Sequence, residues 1–143
     1  MYLFLDTIII KTQKMKAVNP MVWFEIYVDN LERAKKFYEE VFDLKLSELP
    51  TPEDIKEEMQ MCSFPMEMQL EGASGALVKM KGFKAGGNST IVYFASEDCA
   101  IEEGRIVAAG GKVFKSKQSI GEYGFMLLAT DTEGNMFGVH SQS

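Results

Sequence analysis

The chain has 143 residues, 46% of them hydrophobic and 25% charged, with a formal net charge of −6. Those proportions exclude a disordered chain, and a domain of this length buries roughly 68–70% of the surface its unfolded chain exposes. An acidic surface repels phosphates on average, so nucleic acid is excluded as the expected partner.

The first residues, Met1–Ile10, are apolar but carry Asp6 and have no basic segment before them. Ten residues are too few to span a bilayer, and the flanks do not fit a signal peptide. The expected location is the cytoplasm, with no membrane partner. Met15 begins Met-Lys-Ala-Val-Asn-Pro and is a second candidate start, so residues 1–19 read as an N-terminal extension, of which Met1–Lys14 is expected to be dispensable for folding. The two cysteines, Cys62 and Cys99, show neither metal-ligand spacing nor a redox pair and are expected to be reduced.

From Val22 to Val28 the sequence alternates, which places Val22, Phe24, Ile26 and Val28 on one strand face and Trp23, Glu25 and Tyr27 on the other. Asp29-Asn30 can cap the helix that follows, where Leu31, Ala34, Phe37, Tyr38, Val41 and Phe42 recur at helical spacing. Apolar stretches at Lys45–Leu49, Met59–Phe64 and Gly75–Met80 predict three more strands. Leu49–Glu58 reads as a loop or short helix over the sheet, and the glycine-rich Lys81–Asn88 as a linker. The order then repeats sixty-six positions on, with a strand at Thr90–Phe94, a helix at Cys99–Ala109 stopped by Gly110-Gly111, and strands at Lys112–Phe114, Gly124–Thr130 and Met136–His140. At that offset Tyr27 matches Tyr93 and Ala34 matches Ala100. Each half reads βαβββ, and the duplication is a stronger signal than any one element.

A duplicated βαβββ unit resembles the vicinal-oxygen-chelate superfamily, which contains glyoxalases, bleomycin resistance proteins and extradiol dioxygenases. Asn30-Leu-Glu-Arg-Ala-Lys-Lys-Phe-Tyr38 is similar to the family's strand-to-helix passage. Asp131-Thr-Glu-Gly-Asn135 is similar to the turn before its last strand, with Thr132 where proline is common, and Ile120-Gly-Glu-Tyr-Gly-Phe125 resembles a glyoxalase-like branch. The resemblance covers about residues 20–141. It implies an α+β fold of two tandem βαβββ modules, about 20–82 and 88–143 within one domain over 20–143, whose curved mixed sheets form a cavity with helices outside. It also implies homodimers.

In metal-using members of that family, side chains from the first and fourth strands of both modules hold one divalent ion, which can bind vicinal substrate oxygens. Aligned on Asn30-Leu31, the first such position here is Trp23. The sixty-six-residue offset makes the third Ser89, and the Asp131–Asn135 turn makes the last Gly138. Gly72–Asn88 holds no Asp, Glu, His or Cys, so the second position has no such ligand in any register. No metal or other cofactor is therefore expected.

The remaining candidates for ligand contact are Trp23, Glu25, Tyr27, Tyr93, Glu122, Tyr123 and His140. Glu25 sits between two aromatics, where a strand built only for packing would carry an apolar residue. His140 is the one histidine and shares strand parity with Gly138, so it is a polar hook or general acid or base, and Glu25 and His140 are expected to border one cavity. The Gly121-Glu-Tyr-Gly124 loop could close a pocket mouth. Met59, Met61, Met66 and Met68 supply adaptable apolar surface for a core, a pocket or a dimer contact. No nucleophile elbow or phosphate-binding glycine loop is present. The expected function is metal-independent binding of a small molecule. Alternatives are a divergent metal-dependent lyase, isomerase or dioxygenase of the same superfamily, or a dimeric scaffold without ligand.

Overall fold

A computed structural model describes residues 19–67 and 69–143. The expectations for Met1–Ile10, for Met15 as a start and for Met68 lie outside the described residues.

Strand β1 (Trp23–Tyr27) leads into helix α1 (Leu31–Phe42), followed by β2 (Ser47–Leu49), β3 (Met59–Ser63) and β4 (Ser74–Met80). The second module has β5 (Val92–Ala95), α2 (Cys99–Ile106), β6 (Lys112–Ser119), β7 (Phe125–Thr130) and β8 (Met136–Ser141). The expected βαβββ order is thus present twice. Each module forms a four-stranded mixed sheet, ordered β1-β4-β3-β2 and β5-β8-β7-β6. In each, the first strand pairs in parallel with the last and the other pairs are antiparallel. A parallel pair needs a crossover, and the helix of each module supplies its first part.

Local chemistry sets the helix starts. The Asn30 side chain accepts from the Arg33 amide at 3.0 Å and the Asp98 side chain from the Ala100 amide at 3.0 Å, each satisfying one otherwise unpaired N–H. Helix α1 buries Ala34, Phe37, Tyr38 and Val41, the face its spacing predicts. Helix α2 is shorter than the Cys99–Ala109 reading: beyond Ile106 the last turn still bonds the Ala109 amide to the Arg105 carbonyl, but tightens at Gly110, which bonds Val107 and stands at φ +101°. A short 3-10 turn at Glu53–Ile55 occupies the weakly patterned loop of the first module.

Three expectations are corrected. Val22 lies before β1 and is 77% exposed, so the inward face of the strand is Phe24 and Ile26, continued by Val28. Strand β6 runs on to Ser119, because two register shifts against β7 absorb its irregular polar sequence. The repeat offset is also wrong. Asn30 and Asp98 cap equivalent helices sixty-eight positions apart. Val28 and Ser96, also sixty-eight apart, donate to the equivalent carbonyls of Val78 and His140. The equivalent of Glu25 is therefore Tyr93, and that of Trp23 is Ile91 rather than Ser89.

The modules share one core. Phe37, Tyr38 and Val41 from α1 pack with Ile26 and Leu77 of one sheet and with Leu127, Phe137 and Val139 of the other. Its centre is a set of edge-to-face and stacked rings, in which Tyr38 meets Phe64 of the first module and Phe94 and Phe137 of the second at centroid distances of 5.5–5.8 Å.

Candidate functional site

The two motifs that carry the family resemblance are bonded to each other. Asp131 Oδ1 accepts from the amides of Glu133 and Asn135, which folds 131–135 into a tight turn with Gly134 at φ +81°. That turn aims Glu133 at the start of α1. The Glu133 carboxylate accepts from the Asp29 and Asn30 amides at 3.1 and 2.7 Å, and from Arg33 Nε at 2.7 Å and Nη2 at 3.0 Å. Burial alone would push its carboxyl up, but hydrogen bonds from Arg33, Asn30 and Thr132 outweigh that and hold it below the ordinary range. Beside it, the buried Tyr38 hydroxyl donates to Asp131 Oδ2 at 2.8 Å, and burial pushes both of those groups up.

This clasp fixes the first-strand edges of the two sheets. Asn135 Nδ2 donates to the Tyr27 carbonyl at the end of β1, while its Oδ1 accepts from the Gly86 amide of the linker. Asn88 exchanges two hydrogen bonds with the backbone of Met136. Among the described residues, strands β1 and β5 each have a sheet partner on one side only. Between them opens a cavity of about 790 Å³, with Tyr38 and Phe137 among its lining residues and Met136 and the linker residues Phe83 to Asn88 contributing walls.

Trp23, Glu25, Tyr27 and Tyr93 line this cavity, as the parity of the first strands predicts. The Glu25 carboxylate is held at both oxygens, by the Tyr27 hydroxyl at 2.9 Å and more weakly by Trp23 Nε1 at 3.4 Å. Tyr27 in turn stacks on Phe83 at a centroid distance of 5.3 Å. Its phenol, pushed up first by the hydrogen bond to Glu25 and then by burial, keeps its proton and stays a donor.

Glu122, Tyr123 and His140 are not part of this lining. The expectation that Glu25 and His140 border one cavity is corrected here. His140 lies two residues beyond Gly138 along β8, beside Ala95 and Met126, and its Nε2 is 2.6 Å from the Tyr123 carbonyl. A carbonyl only accepts, so Nε2 carries the proton and the imidazole holds down the 3-10 turn Gly121–Tyr123. Strand parity alone gave His140 its direction, but not the loop that folds over it.

The positions where the family resemblance implies metal ligands do not fit a divalent ion. Strand equivalence now places Trp23, Ala76, Ile91 and Gly138 there, none of which offers a carboxylate, imidazole or thiolate. A Cβ at Gly138 would fall inside the Tyr93 ring, so the aromatic ring fills the space of the missing side chain. Among the described residues, no group of three or more His, Cys, Asp or Glu could hold a metal ion. Ile91 lines the cavity, as the face it shares with Tyr93 predicts, whereas the lining residues Phe83 and Met136 were not foreseen from the sequence. Phe83 stood in a stretch read only as linker.

Comparison with known proteins agrees with this architecture. A family model described as bleomycin resistance protein-like N-terminal matches residues 21–66. Among curated proteins no sequence match reaches significance. A mutant glyoxalase I from Zea mays is 18% identical, with a TM-score of 0.69 over 89% of this chain, which spans 47% of the maize protein. A hypothetical protein from S. aureus is 16% identical, with a TM-score of 0.62 over 88% of this chain and 99% of its own. A glyoxalase/bleomycin resistance protein from Albidiferax ferrireducens is also 16% identical, with a TM-score of 0.59 over 87% of this chain and 100% of its own. The chain therefore has the fold of the vicinal-oxygen-chelate superfamily, in the form shared by glyoxalases and bleomycin resistance proteins, with a first module similar to the bleomycin resistance protein-like N-terminal family.

Proposed function

We propose that this protein binds a small molecule in the cavity between β1 and β5 and does so without a divalent metal. The observation that carries the reading is the lining. An opening of about 790 Å³ lies within the usual range of ligand pockets, and among the described residues it presents Trp23, Tyr27, Phe83 and Tyr93 with a single carboxylate, Glu25. Aromatic walls supply apolar contact, and the carboxylate supplies orientation. Tyr93, seated over Gly138, stands where a metal-dependent relative of this fold needs a donor, which favours binding over metal-assisted chemistry. Both cysteines among the described residues are free and buried, as suits a reducing cytoplasm, and no helix there is long and apolar enough to cross a membrane.

A thermal-shift screen of aromatic and amphipathic small molecules, run in excess EDTA, tests this reading. A ligand at about a hundred times its Kd adds roughly 2.7 kcal/mol to the folded state, which raises the melting temperature by several degrees. The expected result is at least one such shift that EDTA leaves unchanged. Stabilisation that EDTA abolishes and Mg, Mn, Fe, Ni or Zn restores would contradict it.

The exposed apolar side chains near the cavity favour a homodimer. Met21 and Val22 are 73% and 77% exposed just before β1, Phe83 is 55% exposed, and Tyr93 is 48% exposed. Such a cluster is unusual on a protein that remains alone in solution. Light scattering is expected to return twice the 16.1 kDa chain mass. A monomer mass across a wide concentration range would refute the dimer.

A further inference from the structure

Glu25 is a charged group whose neighbours do not neutralise it. Its two hydrogen bonds come from neutral aromatic donors, Tyr27 and Trp23. Among the described residues it takes part in no ion pair, although Lys84 also lines the cavity. Among the described residues the rest of the lining is mainly aromatic and aliphatic, its other polar side chains being the neutral Asn88, Thr90 and Asn135, of which Asn88 and Asn135 are bonded to backbone. Tyr27 lies stacked on Phe83, Tyr93 stands at the second-module position equivalent to that of Glu25, and Ile91 and Met136 continue the apolar lining. The residue paired with Glu25 on β4 is Ala76, so no long side chain from that neighbour crowds the carboxylate.

We infer that the cavity selects an amphipathic organic cation, an alkyl- or arylammonium, whose positive head sits at Glu25 beside the Trp23 and Tyr27 rings. Its apolar body lies along Ile91, Tyr93 and Met136. The inference rests on the proposed ligand-binding reading and names the class of ligand for that site. The carboxylate supplies the charge partner. The negative faces of the rings attract the same cation, and the apolar walls strip part of its water, which strengthens both attractions. A neutral ligand of the same shape gains only the apolar contact. An anion meets Glu25 as a like charge, and the net charge of −6 opposes its approach.

The test uses three probes of similar size: benzyltrimethylammonium, benzyl alcohol and benzenesulfonate, each titrated at fixed ionic strength. Trp23 is the one tryptophan of the chain, so its indole N–H resonance reports occupancy of this cavity without ambiguity. Benzyltrimethylammonium is expected to bind about tenfold more tightly than benzyl alcohol, and Glu25→Gln to remove most of that advantage. The melting temperature and the dispersed amide spectrum of the unliganded variant serve as the control for an intact fold. If the cation and the alcohol bind equally, or the sulfonate binds best, the cationic class is overturned while ligand binding in the cavity stands. If none of the three moves the Trp23 signal, both readings fall.

Discussion

Phe137→Ala is expected to cost about 3–5 kcal/mol of folding stability, the range for deleting a fully buried aromatic side chain. Phe137 is 1% exposed, and its ring contacts Phe37, Tyr38, Phe42 and Phe94 at centroid distances of 5.8–6.0 Å. Three of those partners lie on α1 and the fourth on β5, so the cavity created would sit where both modules meet. The surrounding rings are held from α1 of one module and β5 of the other and have little freedom to collapse into the space. Urea unfolding measures the effect as a shift of the midpoint at unchanged slope. A loss below about 1 kcal/mol would mean that the modules do not share a tightly packed core. Because Phe137 also lines the cavity, the variant should bind ligand more weakly even where it remains folded.

Glu133→Ala is expected to cost roughly 1–3 kcal/mol, because it strands the Asp29 and Asn30 amides that the carboxylate now satisfies. The Glu133 side chain has no exposed surface, whereas Arg33 is half-exposed and can return to water, so the loss comes mainly from the amides. A pH dependence follows from the sign of the shift. Against burial, the hydrogen bonds from Arg33, Asn30 and Thr132 hold the folded carboxyl below its ordinary 4.5. The stability it contributes is therefore fully present above that ordinary value and is lost as pH falls through the lower folded value. Asp131, pushed up mainly by burial, works in the opposite direction, so the quantity to follow is the difference between the parent and Glu133→Gln. That gap should be largest at neutral pH and shrink on acidification below 4.5. A gap that is constant or widens in acid would show that the carboxylate is not held in its ionised form.

Much of this was legible before any coordinates. Alternation in Trp23–Tyr27 and helical spacing in Leu31–Phe42 each report a single face, and a face is what one strand or helix presents to a core. The duplication carried the topology, since a parallel first strand and fourth strand follow once two βαβββ units are recognised. The repeat offset was less secure. It relied on matching Tyr27 to Tyr93, yet tyrosine appears on both first strands for different reasons, and the hydrogen-bonded caps place Glu25 opposite Tyr93 instead.

The cavity-lining residues divide in the same way. Trp23, Glu25, Tyr27 and Tyr93 could be found because a strand face is a local property. Phe83 could not, because nothing in a glycine-rich linker says which of its side chains turns back onto Tyr27. His140 failed as a cavity residue for a similar reason. Its direction is set by β8, but its partner is the Tyr123 carbonyl on a turn whose path depends on Gly121 and Gly124, both at positive φ. The family-like motifs had another meaning as well. Asn30–Tyr38 and Asp131–Asn135 lie a hundred residues apart in sequence but form one clasp, and sequence shows the two halves without their bond.

The most direct test of the central claim is the electron density of a crystal grown with a ligand that stabilises the protein in EDTA. Density for that ligand is expected between β1 and β5, in contact with Trp23, Glu25 and Tyr93, with no metal ion beside it. Ligand density confined to another surface, or an anomalous metal peak between the two modules, would contradict it.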